Sequence, residues 1–127
     1  MQQIENNESV AMMFLDREHQ RRYFGILHQM RSNGPEYVSF AYLVSLVNAP
    51  IKDCFDFATS CIKTDMLDCS WITGTSRRVL TLAQNLWNFN NSADVSDVFS
   101  YVGEEYAEFM FYAIKIRFEY VPYLILK

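Results

Sequence analysis

Three cysteines and two histidines are the residues of this chain best able to ligate a metal or attack a substrate, and their spacing argues against both. Cys54 and Cys61 fall seven apart on one face of a predicted helix, whereas a helical ligand pair needs a spacing of three or four. No Cys-x-x-Cys or His-x-x-x-His occurs, so neither a metal nor a cofactor is expected, and Cys54, Cys61 and Cys69 read as buried or partly buried free thiols. No Ser or Cys sits in a recognisable nucleophile elbow, and neither His19 nor His28 has an orienting carboxylate legible in the sequence. No catalytic residue is therefore named, and the residue types lean away from an enzyme without deciding the question.

Two other groupings could do polar work. His19, Arg22 and Tyr23 stand at i, i+3 and i+4, which clusters them on one helix face as a donor-rich patch for an anion or carboxylate. The plainer expectation is a histidine at the core boundary, satisfied by a backbone or carboxylate partner. Asp94, Asp97, Glu104, Glu105 and Glu108 form the densest acidic run. Carboxylates at a helix start complement the helix dipole before they serve as general acids or bases. Arg21-Arg22 and Arg77-Arg78 lie near acids, so a solvated face is the default for each pair.

Helical periodicity supplies the elements that must carry these groups. Over Asp16 to Ser32, Tyr23, Ile26, Leu27 and Met30 recur at spacings of three and four behind Asp16 as N-cap, and Asn33-Gly34 offers a left-handed stop before Pro35. Glu36 to Val47 is apolar on every side and predicts a central helix. Ile51, Phe55, Ala58 and Ile62 predict a third helix reaching about Lys63, and a fourth opens at Thr75 or Ser76 with Val79, Leu80, Ala83, Leu86 and Trp87 as its stripe. Asn88 to Ala93 reads as a loop, Ser96 caps a short helical piece, and Gly103 precedes a last long helix from Glu104 to about Phe118. The apolar tail Tyr120 to Leu126 is expected to dock on the body. Phe109, Phe111, Tyr112, Phe118, Tyr120 and Tyr123 read mostly as core, and any ring left outside would anchor a partner.

These elements sum to an all-α single domain, residues 1–127, of about five to six helices around one apolar helix, with 1–9 loosely held. The chain has 127 residues, 50% hydrophobic and 20% charged, which suits one folded core and excludes a disordered chain. A net charge of −4 gives too little positive charge for direct nucleic-acid binding. An odd number of sparse cysteines, no basic leader and no apolar run approaching roughly 20 residues point to a cytoplasmic protein outside the membrane.

Phe14-Leu-Asp-Arg-Glu-His19 with Tyr23, Ser76 through Leu82-Ala83-Gln-Asn-Leu-Trp87, and Ala113-Ile-Lys-Ile-Arg117 followed by Tyr120 resemble a poorly characterised family of small helical proteins from phages and conjugative elements of Gram-positive bacteria. The resemblance implies a small helical protein with no known reaction. Its setting implies an accessory protein that binds a host or element protein, with inhibition of a defence nuclease, as by anti-CRISPR proteins, among the roles such proteins take. The residues expected to meet that partner are Asp94, Asp97, Glu104, Glu105, Glu108, Tyr101 and Tyr112. Alternatives are a small enzyme or ligand-binding bundle that gathers His19, Arg22, Tyr23 and Glu108 into one concave site, and a homodimer formed through the aromatic C-terminal half.

Overall fold

Pro35–Leu46 (α2) buries nine of its twelve residues, Val38 through Leu46, and so has no wet face. A helix apolar all round is stable only if other elements surround it. In the computed structural model, which describes residues 3–5, 12–88, 91 and 93–125, α2 packs against Arg17–Gln29 (α1), Gly74–Asn88 (α4) and Glu104–Arg117 (α6). The fold is all-α, and the apolar helix lies at its centre. Two serines are admitted there because each turns its hydroxyl back on its own helix: Ser45 Oγ donates to Tyr42 O at 2.9 Å and Ser39 Oγ to Glu36 O at 3.4 Å.

α1 begins where the sequence places it, with Asp16 Oδ1 accepting from His19 N at 2.8 Å. Its end differs from expectation. The cap is Met30 in extended backbone, and Gly34, φ −66°, serves as N-cap to α2 rather than as a left-handed stop. The left-handed closures lie elsewhere, at Asn48 after α2 and Glu119 after α6. Each sits inside a paired set of closing bonds: Asn48 N to Ser45 O with Ala49 N to Val44 O, and Glu119 N to Ile116 O with Tyr120 N to Lys115 O.

The third helix is a correction. It runs only over Ile51–Cys54 (α3), and the chain then turns back as the antiparallel pair Phe55–Asp56 (β2) and Cys61–Ile62 (β3). Asp56 Oδ1 accepts from Ala58 N at 2.9 Å and Thr59 N at 3.4 Å, and Ser60 takes φ 58°. Short polar side chains thus capture the backbone that a helix would have used. Phe55 is pulled into the core against Phe40 and Trp87, at ring distances of 6.0 and 5.8 Å. Cys54 and Cys61 consequently share no helix face; Cys54 is buried and Cys61 exposed, which departs from the expectation for Cys61. Burial pushes the Cys54 thiol up to about 12, so it behaves as an apolar filler.

After a 3-10 turn at Met66–Asp68, Trp71 Nε1 donates to Asp53 Oδ2 at 2.9 Å and ties this stretch to α3. α4 is capped by Thr73 rather than Thr75 or Ser76, its hydroxyl accepting from Ser76 N at 3.1 Å. Val95–Phe99 (α5) is capped by Asp94 rather than Ser96, with Oδ1 accepting from Ser96 N at 2.9 Å. The tail docks only from Tyr123, as Tyr123–Ile125 (β4) with Tyr123 and Leu124 buried, whereas Tyr120, expected to dock with it, is 76% exposed. Of the segment 1–9, expected to be loosely held, Gln3–Glu5 (β1) pairs parallel with β4 in the register Gln3 to Tyr123; its other residues lie outside the described ones. Among the described residues no helix is long and apolar enough to cross a membrane.

Candidate functional site

The first candidate grouping turns inward. His19 and Tyr23 are both 0% exposed. His19 Nδ1 accepts from Leu15 N at 3.0 Å, which leaves the ring proton on Nε2, and Nε2 donates to Tyr42 O at 3.0 Å. The imidazole sits among Phe14, Tyr42 and Phe109, with ring centroids 5.2, 4.8 and 6.2 Å away. Burial holds it neutral, with its pKa lowered from 6.5 to about 4. Tyr23 Oη donates to Leu124 O at 2.7 Å, Tyr42 Oη to Met13 O at 2.6 Å, and Arg22 Nε to Ser45 O at 2.9 Å. Burial raises the pKa of both tyrosines, so these hydroxyls stay protonated donors.

This group therefore stitches α1, α2, the chain before α1 and β4 together through backbone carbonyls. Only Arg22, half-buried, reaches the surface, beside a shallow hollow with Gln29, Asn48 and Ile51. His19 lines none of the four principal hollows, and Glu108 lies in the wall of a different one, so the concave gathering of His19, Arg22, Tyr23 and Glu108 does not form. The two readings made of His19 are separated by its burial, and the plainer one describes what it does.

The second grouping turns outward. Asp94, Asp97, Glu104, Glu105 and Glu108 are all exposed along α5 and the first turns of α6. Between them Tyr101 is 93% exposed, with the Arg78 guanidinium 5.7 Å from the centre of its ring. Tyr101 takes φ 63°, a conformation unfavourable for any residue with a Cβ, and unlike Asn48 and Glu119 it makes no closing backbone bond among the described residues. Tyr112 is the exception among the expected partner-facing residues. It is half-buried, its ring 5.5 Å from Tyr42 and its hydroxyl 3.5 Å from Pro122 O, and burial raises its pKa.

Large apolar residues complete this ridge. Val95 is 72% exposed, and Phe111, 50% exposed, stacks on Phe99 with centroids 4.6 Å apart and planes 5° from parallel. Two hollows flank α5. One, of about 290 Å³, is lined mainly by Leu82, Leu86, Val95, Val98, Ile114 and Phe118. The other, of about 370 Å³, has Leu67, Val98, Arg77, Arg78, Asp94 and Asp97 in its wall. Arg78 Nη1 donates to Asp97 O rather than to a carboxylate, at 3.1 Å. The expectation that Arg77-Arg78 is matched by nearby acids is met by proximity alone.

Chemically, the ridge offers stacking area, apolar recesses and carboxylates, but no nucleophile held by a base. Among the described residues no three His, Cys, Asp or Glu side chains converge as a metal site would need. Val95, Phe111 and Phe118 were not singled out as surface residues by sequence, because apolar groups at helical spacing read as core. The model of DUF6075, a family of unknown function, matches residues 9–124, and the chain belongs to that family. No curated protein and no solved structure is similar enough to match.

Proposed function

We propose that this member of DUF6075 is a non-enzymatic binding protein of a mobile genetic element, whose ridge of α5 and early α6 docks on a host or element protein in the cytoplasm. On this reading the partner is an enzyme that handles nucleic acid, such as a host defence nuclease, and docking inhibits it in the manner of an anti-CRISPR protein. The observation that carries the reading is Tyr101: a large ring held almost wholly in solvent, on strained backbone, in the middle of five exposed carboxylates. Tyrosine anchors interfaces, and a carboxylate rim competes for a basic groove. With a net charge of only −4, the rings and the apolar recess beside Val98 must supply much of the affinity. The phage and conjugative-element setting, suggested by the three stretches of sequence, is what favours a nuclease as the partner.

The test is affinity capture from a lysate of the host at low and moderate salt, followed by competition with DNA and RNA. The reading expects one stoichiometric partner that is displaced by nucleic acid. Recovery of no stoichiometric partner at either salt, or of one indifferent to nucleic acid, contradicts it.

A further inference from the structure

The exposed side of α6 carries a second pattern, which shares Glu104, Glu108 and Phe111 with the docking ridge and continues past it. Glu104, Glu108, Phe111, Lys115 and Phe118 are all exposed and follow one another at spacings of four and three, so they form one stripe along the helix and its first residue beyond. Phe111 and Phe118 are 50% and 48% exposed. The stripe is acidic before Phe111 and basic after it. Neither Glu108 nor Lys115 has an ion-pair partner among the described residues. Both lie, with Phe111, Met13 and Tyr112, in the wall of a hollow of about 510 Å³.

We propose that this stripe is an interface with a second copy of the chain, the two α6 helices running antiparallel across a two-fold axis beside Phe111. A uniformly basic partner would be repelled at Lys115, and a uniformly acidic one at Glu104 and Glu108. A surface of reversed charge order fits both halves, and a second copy supplies it by symmetry. The helical geometry agrees. At about 1.5 Å rise and 100° per residue, Glu108 lies about 4.5 Å before Phe111 and Lys115 about 6 Å after it, both on the same flank of the helix. A two-fold axis at Phe111 thus sets each Glu108 beside the other copy's Lys115, offset by only about 1.5 Å along the helix. A parallel pairing would instead set Glu108 against Glu108. Phe111 and the hollow beside it also give one patch a projection and a recess, as a self-complementary interface requires.

This pairing draws on Glu104, Glu108 and Phe111 of the docking ridge without resting on the docking reading, and its test is the association state of the full chain. Sedimentation velocity over a concentration series is expected to show a monomer–dimer equilibrium. Glu108→Lys and Lys115→Glu, which each create two like-charge contacts per dimer, are expected to raise the dissociation constant by about tenfold or more. The double variant Glu108→Lys/Lys115→Glu restores the pairing with the charges exchanged, and is expected to return the constant close to that of wild type. Circular dichroism and thermal unfolding of each variant separate loss of pairing from loss of fold, since both side chains are exposed. A monomer up to hundreds of micromolar, a dimer indifferent to the single reversals, or a double variant as weak as the single ones overturns the proposal.

Discussion

The start of α1 and the ridge of α5 and α6 hold similar side chains and use them in opposite directions. At α1, His19, Tyr23 and Arg22 spend their donors on Tyr42 O, Leu124 O and Ser45 O, so a polar cluster becomes a set of internal ties. At α5 and α6, Tyr101, Asp97 and Glu108 are left facing water. The difference is made by the neighbour. α1 lies against an apolar helix whose backbone offers carbonyls at Tyr42 and Ser45, whereas α5 is five residues long and borders open hollows. Chemistry of residue type alone does not separate a structural group from a working one; what faces it does.

The comparison breaks most visibly at His19. His19→Ala removes a fully buried ring and leaves Tyr42 O and Leu15 N each without that partner, so a destabilisation of about 3 kcal/mol is expected in urea unfolding. A loss below about 0.5 kcal/mol would mean that the ring is not a tie at all.

Acid should produce a related effect. His19 has a folded pKa of about 4, below its ordinary 6.5, so protons bind the unfolded chain first. The stability it contributes is fully present above pH 6.5, falls as pH drops through the interval from 6.5 to about 4, and levels off below, by roughly 3 kcal/mol in total. Against a His19→Gln control, which cannot titrate, the wild type should lose that extra amount over the same interval. Parallel pH profiles for the two proteins would show that the imidazole is not held neutral by burial.

The smallest effect sharpens the other side of the comparison. Tyr101→Gly removes a side chain that is almost wholly exposed and relieves the left-handed backbone, so unfolding free energy should stay level or rise by up to about 1 kcal/mol. A clear loss of stability would show that Tyr101 serves the fold.

The sequence made the long helices legible because each has a one-sided or all-round apolar pattern and a chemical start: Asp16 for α1, Pro35 for α2, the acids after Gly103 for α6. It did not show the turn between Cys54 and Ile62. Two-residue strands have no periodicity to read, and Ile51, Phe55, Ala58 and Ile62 mimic a helix stripe although Asp56 and Ser60 bend the backbone away. The acidic part of the ridge was legible because unpaired carboxylates stay in water. The apolar part was not: α6 buries Met110, Ala113 and Ile116, and periodicity alone cannot say that this stripe, rather than the one through Phe111, is the face that meets α2.

The most direct measurement compares Tyr101→Gly with wild type, capturing partner from lysate at matched concentration while following thermal unfolding of each protein. If the fold is built inward around α2 and the work is done outward from the ridge, the variant unfolds at the same or a higher temperature and retains little of the partner. A variant that unfolds earlier yet captures as much partner as wild type would place Tyr101 with the core and leave the ridge without a role.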